Sequence, residues 1–148
     1  MVDGSVAAGR TRLLVWRPDD GGSVAVVGRA RRWLRHALPR LVGYRPRGHL
    51  HDDTELLLCE LVTNAVLHAG GVTAVQLRLT DETLRITVCD TVSAVPVAQR
   101  AAPDADHGRG IALVEILATR WGVQRARPAA GKCVWLELST TGARAEAA

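Results

Sequence analysis

No apolar run in the 148-residue sequence approaches the roughly 20 residues needed to cross a bilayer, which excludes a membrane-spanning helix. The N-terminus, MVDGSVAAGR, lacks the apolar stretch of a secretory signal, so a cytoplasmic protein without membrane attachment is expected. Cysteine is scarce. Cys59, Cys89 and Cys133 are odd in number and lie singly in apolar segments, which favours reduced, buried thiols over a disulfide framework or a zinc site. Internal repeats are missing, as is any linker long enough to divide two domains. The net charge of +4 and pI near 9.6 raise the question of nucleic acid. The arginines are scattered, however, and the densest cluster, GRARRWLRHALPR, reads as the solvated face of a helix, so direct nucleic-acid binding is not expected.

What is present suits one globular domain: 47% of the residues are hydrophobic, enough for a core. It is expected over residues 10–140, with 1–9 and 141–148 as flexible tails rich in small residues. TRLLVWR reads as a first strand. Helical spacing over Ser23 to Leu38 puts Val24, Val27, Leu34 and Leu38 inward, with Ser23 as a cap. A second helix starts at Asp52 or Asp53 and stops before Gly70-Gly71. Val75, Leu77 and Leu79, then Leu84, Ile86 and Val88, alternate with polar residues around Thr80-Asp81-Glu82, a hairpin. Thr91 to His107 shows no periodicity, and a loop that long in a small domain is usually functional or disordered. A third helix is expected from Gly108 to Arg120, then two strands, GVQRA and KCVWLEL. This order predicts an α+β fold, a mostly antiparallel mixed sheet with helices layered on one face.

The second helix carries a polar notch. At about 100° per residue, Leu57, Leu58, Leu61, Val62 and Ala65 form one apolar face. Glu60, Asn64 and Asp53 share a stripe beside it, bordered by Leu56 and Leu67. Between apolar walls an unpaired carboxylate is costly, so either a hydrogen-bonded structural pair or a ligand site is expected there. Zinc fits poorly, because only His68 lies near the stripe. Magnesium fits better, since it takes one or two protein oxygens together with waters and phosphates.

Asp90 ends a strand in ITVCD, and HGRGIALVEIL opens a helix with Gly108 and Gly110, where backbone N–H groups can approach an anion. Arg109 between them can add a charge-assisted contact. In this order the elements resemble the GHKL ATPase superfamily of gyrase, Hsp90, histidine kinases and the mismatch-repair MutL proteins. ELVTNAVLHA looks like its N box, VCD begins its first glycine box, and HGRGIALV looks like its second. The resemblance runs from about Leu13 to Leu138. Within the superfamily the chain looks most like anti-sigma-factor serine kinases and related stand-alone ATP-binding regulators.

The resemblance implies a two-layer α/β sandwich, the Bergerat ATP-binding fold, with ATP and Mg²⁺ as cofactors. Asn64 would coordinate Mg²⁺, and Glu60 would be the general base. Asp90 would accept from the adenine amino group, Thr91 to His107 would form the lid, and Gly108, Arg109 and Gly110 would line the phosphates. His68 and His107 would border the site, and Cys133 would stand where relatives place a threonine close to adenine. Lys132, at a strand end, is expected either to contact the nucleotide or, as such lysines more often are, simply to be exposed. The implied function is a serine/threonine protein kinase that binds a sigma factor or phosphorylates its antagonist protein, as a homodimer. A non-catalytic ATP-binding regulatory module of the same fold is the alternative, because the first glycine box reads DTVSAVP, with Ser93 and Val95 in place of both glycines. A detached histidine-kinase catalytic domain fits less well, given the short lid.

Overall fold

In the computed structural model, residues 10–45, 47–92, 109–125 and 131–141 are described. The elements are β1 (Thr11–Trp16), α1 (Ala25–Val42), α2 (Leu50–His68), β2 (Val72–Thr80), β3 (Thr83–Asp90), α3 (Arg109–Leu117), β4 (Arg120–Arg125) and β5 (Lys132–Ser139). The strands form one sheet in the order β1-β2-β3-β5-β4. Every pairing among these strands is antiparallel, so the sheet is not mixed.

Alternation along the strands decides which face meets the helices. Val75, Leu77, Leu84, Ile86, Val88, Leu136 and Leu138 are buried and share the core with the apolar faces of α1 and α2. The opposite face carries Arg78, Arg85, Trp135 and Glu137. There Arg85 stacks 4.0 Å from the Trp135 ring centroid and donates to Glu137 at 2.6 Å. The hairpin between β2 and β3 turns at Asp81-Glu82, with Asp81 in the left-handed region at φ 52°.

The expected phase of α1 is wrong in its first turn. Val24 is 73% exposed, and the buried face is Val26, Ala30, Leu34, Ala37, Leu38 and Leu41. Ser23 does serve the helix start, its Oγ accepting from the Ala25 N–H at 3.2 Å. The helix also runs past the expected end at Leu38 and through Pro39 to Val42. A proline inside a helix costs about 3 kcal/mol. Burying Leu41 and Val42 returns roughly 1.5–3 kcal/mol each, so the last turn stays helical. Arg12 of β1 completes that end, its guanidinium donating to the Arg40 carbonyl at 2.6 Å and the Leu41 carbonyl at 3.4 Å. Trp16 of β1 stacks on Trp33 of α1 with ring centroids 6.0 Å apart.

The charged face of α1 is solvated, with Arg31, Arg32 and Arg35 exposed. Glu55 of α2 bridges Arg35 at 2.7 Å and Arg31 at 3.4 Å. Hydrogen bonding to Glu55 holds Arg35 further toward its charged form, and contact with Cys59 does so for Arg31.

Two further expectations fail. The third helix ends at Leu117, because the Thr119 N–H and hydroxyl both donate to the Glu137 carbonyl, at 2.8 and 3.0 Å, and draw the chain into β4 at Arg120. Cys89 and Cys133 are not reduced thiols but a disulfide, and only Cys59 is free among the described cysteines. Antiparallel register sets Cys89 directly opposite Cys133, with Cα atoms 4.0 Å apart across 44 residues of sequence. The expectation of three reduced thiols therefore falls. No described helix is long and apolar enough to cross a membrane.

Gly21 and Gly71 let the segment before α1 press on the start of β2. The Val72 N–H donates to the Gly21 carbonyl at 2.9 Å, and a Cβ on Gly21 would lie 1.8 Å from the Val72 carbonyl oxygen. Gly21→Ala is expected to cost about 1–3 kcal/mol by overpacking. Gly28→Ala, in the interior of α1 with nothing within 4 Å of the new Cβ, is expected to stabilise by roughly 0.5–1 kcal/mol. Urea unfolding of both variants checks the opposite signs.

Candidate functional site

Helix α2 buries Leu57, Leu58, Leu61, Val62 and Ala65 against the sheet, as its periodicity predicts. Asp53 is buried near its start and is engaged within the fold. Glu60 and Asn64 lie one turn apart and are half-buried. Their expected apolar walls are not closed, since Leu56 is 41% and Leu67 59% exposed. Among the described residues neither the Glu60 nor the Asn64 side chain makes a hydrogen bond or ion pair. Water can therefore reach both, and they remain available to a ligand. His68 is exposed in the last turn of α2, where a basic side chain complements the partial negative charge of the helix end.

That helix end is tied to the end of β3. The Thr91 N–H and hydroxyl donate to the Ala69 carbonyl at 3.4 and 3.3 Å. Asp90, the preceding residue, is only 4% exposed. Its Oδ1 accepts the Val92 N–H at 3.0 Å, and its Oδ2 meets the Lys132 ammonium at 2.9 Å. Lys132 is equally buried at 4% and also donates to the Val92 carbonyl at 3.3 Å. The expected exposed lysine is thus the buried partner of the site aspartate. Burial of this kind is tolerated only because the two charges meet and their remaining polar atoms are hydrogen-bonded.

Cys133, expected near adenine, lies one residue along from Lys132 and so on the opposite face of the sheet, with Trp135 and Glu137. Its sulfur is bonded to Cys89 and has no S–H to donate. Arg109 and Gly110 open α3. His107, Gly108, Ser93 and Val95 lie outside the described residues, as does all of the expected lid except Thr91 and Val92. Among the described residues no three His, Cys, Asp or Glu side chains cluster as a metal cage. A cation held here would take most of its ligands from water and phosphate.

The model of the histidine kinase-like ATPase domain matches residues 23–138. The chain belongs to that family. It is thereby a member of the GHKL superfamily, and its α+β architecture is that of the GHKL ATP-binding fold. Among solved structures it is similar to the histidine kinase domain of the Erythrobacter litoralis EL346 blue-light activated histidine kinase. Identity there is 23%, with 78% of this chain and 61% of that chain covered at a TM-score of 0.46. The chain thus spans about three-fifths of that domain. A comparison with curated proteins found no match.

The family makes ATP the expected ligand, and the site fits it unequally. Glu60 and Asn64 suit a metal–phosphate group, being oxygen donors without partners among the described residues. The other end is closed as it stands, because Asp90 is only 4% exposed, covered by Lys132 and the Val92 N–H. The pairing of Lys132 with Asp90 was not legible in the sequence, because it is set by strand register and not by local pattern. The one available signal was that Cys89-Asp90 and Lys132-Cys133 mirror each other across antiparallel strands.

Removing one member of a buried ion pair leaves the other charge uncompensated. Asp90→Asn and Lys132→Met are each expected to cost about 3–5 kcal/mol. The double variant should cost clearly less than the sum. A double-mutant cycle by urea unfolding measures the coupling, and additive losses would contradict it.

Proposed function

We propose that this histidine kinase-like ATPase domain is an ATP-dependent serine/threonine protein kinase of the anti-sigma type, acting by partner switching. The observation that carries the reading is the Glu60–Asn64 pair, a carboxylate and an amide one turn apart on α2 with no partners among the described residues. When bound, ATP with Mg²⁺ supplies the phosphoryl group and the positive charge that offsets its oxygens.

The chain's own residues do the positioning. Asn64 would offer its amide oxygen to the metal. Glu60, half-buried and open to water, is reachable by the hydroxyl of a protein substrate and takes its proton. Arg109 and Gly110 at the start of α3 would offer backbone N–H groups to the phosphates. Asp90 would be the acceptor for the adenine amino group, and His68, at the end of α2, would border the site. The partners are a sigma factor and an antagonist protein that receives the phosphate. The protein acts in the cytoplasm as a homodimer, without direct contact to nucleic acid.

A second reading, a non-catalytic ATP-binding regulatory module, is favoured by the engagement of Asp90 with Lys132 and Val92. Glu60→Gln separates the two. Glutamine keeps the shape of the helix surface but cannot take a proton, so transfer of labelled phosphate to a cognate antagonist should fall about 10²–10⁴-fold. Calorimetry should show ATP affinity nearly unchanged. A wild type that binds ATP but neither transfers nor hydrolyses it supports the second reading. Equal transfer rates in wild type and variant would remove Glu60 as the base.

A further inference from the structure

Phosphotransfer gives no role to the ion pair at the base end of the site. A carboxylate that reads an adenine amino group must present an accessible lone pair to it, and Asp90 is only 4% exposed, packed beneath its own partners. Here Oδ1 of Asp90 accepts the Val92 N–H at 3.0 Å, and Oδ2 is held by the Lys132 ammonium at 2.9 Å. The ammonium spends a second N–H on the Val92 carbonyl at 3.3 Å, which anchors it against the same short segment.

The surroundings determine which part can yield. Gly131 sits at φ +125°, and a Cβ there would lie 2.1 Å from the Asp90 carbonyl oxygen, so the two backbones are already in close approach. From the opposite face of the sheet the Cys89–Cys133 disulfide ties the same two strands, one register position away. The strands therefore cannot part to release Asp90. The Lys132 side chain, flexible along four methylenes, can.

We propose that Lys132 is an internal competitor for the base: its ammonium occupies the acceptor on Asp90, and a purine amino group binds only by displacing it. Lys132 thereby sets the affinity of the base end, independently of the phosphate end at Glu60 and Asn64. The proposal rests on the reading of Asp90 as the base acceptor.

The test is calorimetric titration of wild type, Lys132→Met and Lys132→Gln with Mg-ATP and, separately, with magnesium tripolyphosphate, which has no base. A hydrogen bond to a charged group is worth about tenfold to hundredfold in affinity, and that gain for ATP is expected in Lys132→Met. Lys132→Gln can still donate to Asp90 without a full charge, so a smaller gain of the same sign is expected. Tripolyphosphate should bind all three proteins alike. ATP binding that appears only in the variants also supports the proposal. If Lys132→Met is unfolded by circular dichroism, Lys132→Gln decides alone.

Wild type that binds ATP as tightly as the folded variants overturns the competitor and leaves the ATP-binding reading standing. Absence of ATP binding in every folded protein overturns both. An equal gain for tripolyphosphate places the effect away from the base and also overturns the proposal.

Discussion

Strand β3 lies in the middle of the sheet, and its antiparallel ladder with β5 sets the positions of Asp90, Lys132 and the two bonded cysteines. One register places Leu84, Ile86 and Val88 under the helices, brings Cys89 opposite Cys133, and carries Asp90 to Lys132. A slip of one residue would turn the apolar set outward and part both pairs at once. The disulfide and the ion pair occupy opposite faces of the same strand ends, so the covalent bond on the open face and the electrostatic one beneath the helices enforce the same alignment. The tie from Thr91 to Ala69 then passes that alignment to the end of α2.

Two kinds of acidic and amide group result, and they differ in what they can do. Glu60 and Asn64 stand on a helix surface bordered by exposed leucines, half-buried and without partners among the described residues. Asp90 is dry and committed. A group of the first kind responds to whatever arrives, while one of the second kind must first be released by its own partner. The same pair of strand ends thus joins a rigid frame to a side chain that can leave it.

Much of this was legible in the sequence where the physics is local. The apolar face of α2, the β2–β3 alternation and the glycines after α2 all follow from periods of 3.6 and 2 and from backbone sterics. The first turn of α1 was misjudged because Val24 precedes the helix as its N-cap residue and stays exposed, outside the face that the helix buries. The passage through Pro39 depends on what Leu41 and Val42 bury, which no local propensity encodes. The early end of α3 follows from hydrogen bonds to Glu137 on another strand. The cysteines and Lys132 illustrate the same limit: single apolar-flanked thiols look reduced until register sets two of them face to face. The N-box residues Glu60 and Asn64 stood out because a carboxylate and an amide interrupt an apolar helix, whereas a terminal lysine carries no such contrast.

The stack of Trp16 on Trp33 has an optical consequence. The sequence contains four tryptophans, one tyrosine and no phenylalanine, so the near-ultraviolet spectrum is almost wholly indole. Two of those indoles lie 6.0 Å apart with an interplanar angle of 18°, close enough for their transitions to couple. Because one ring belongs to the edge strand β1 and the other to α1, the coupled signal reads the docking of that strand onto the helix layer. Trp135, between Arg85 and Arg120 on the far face, reads a different environment. The molecule therefore carries separate intrinsic chromophores for its two faces, without any label being added.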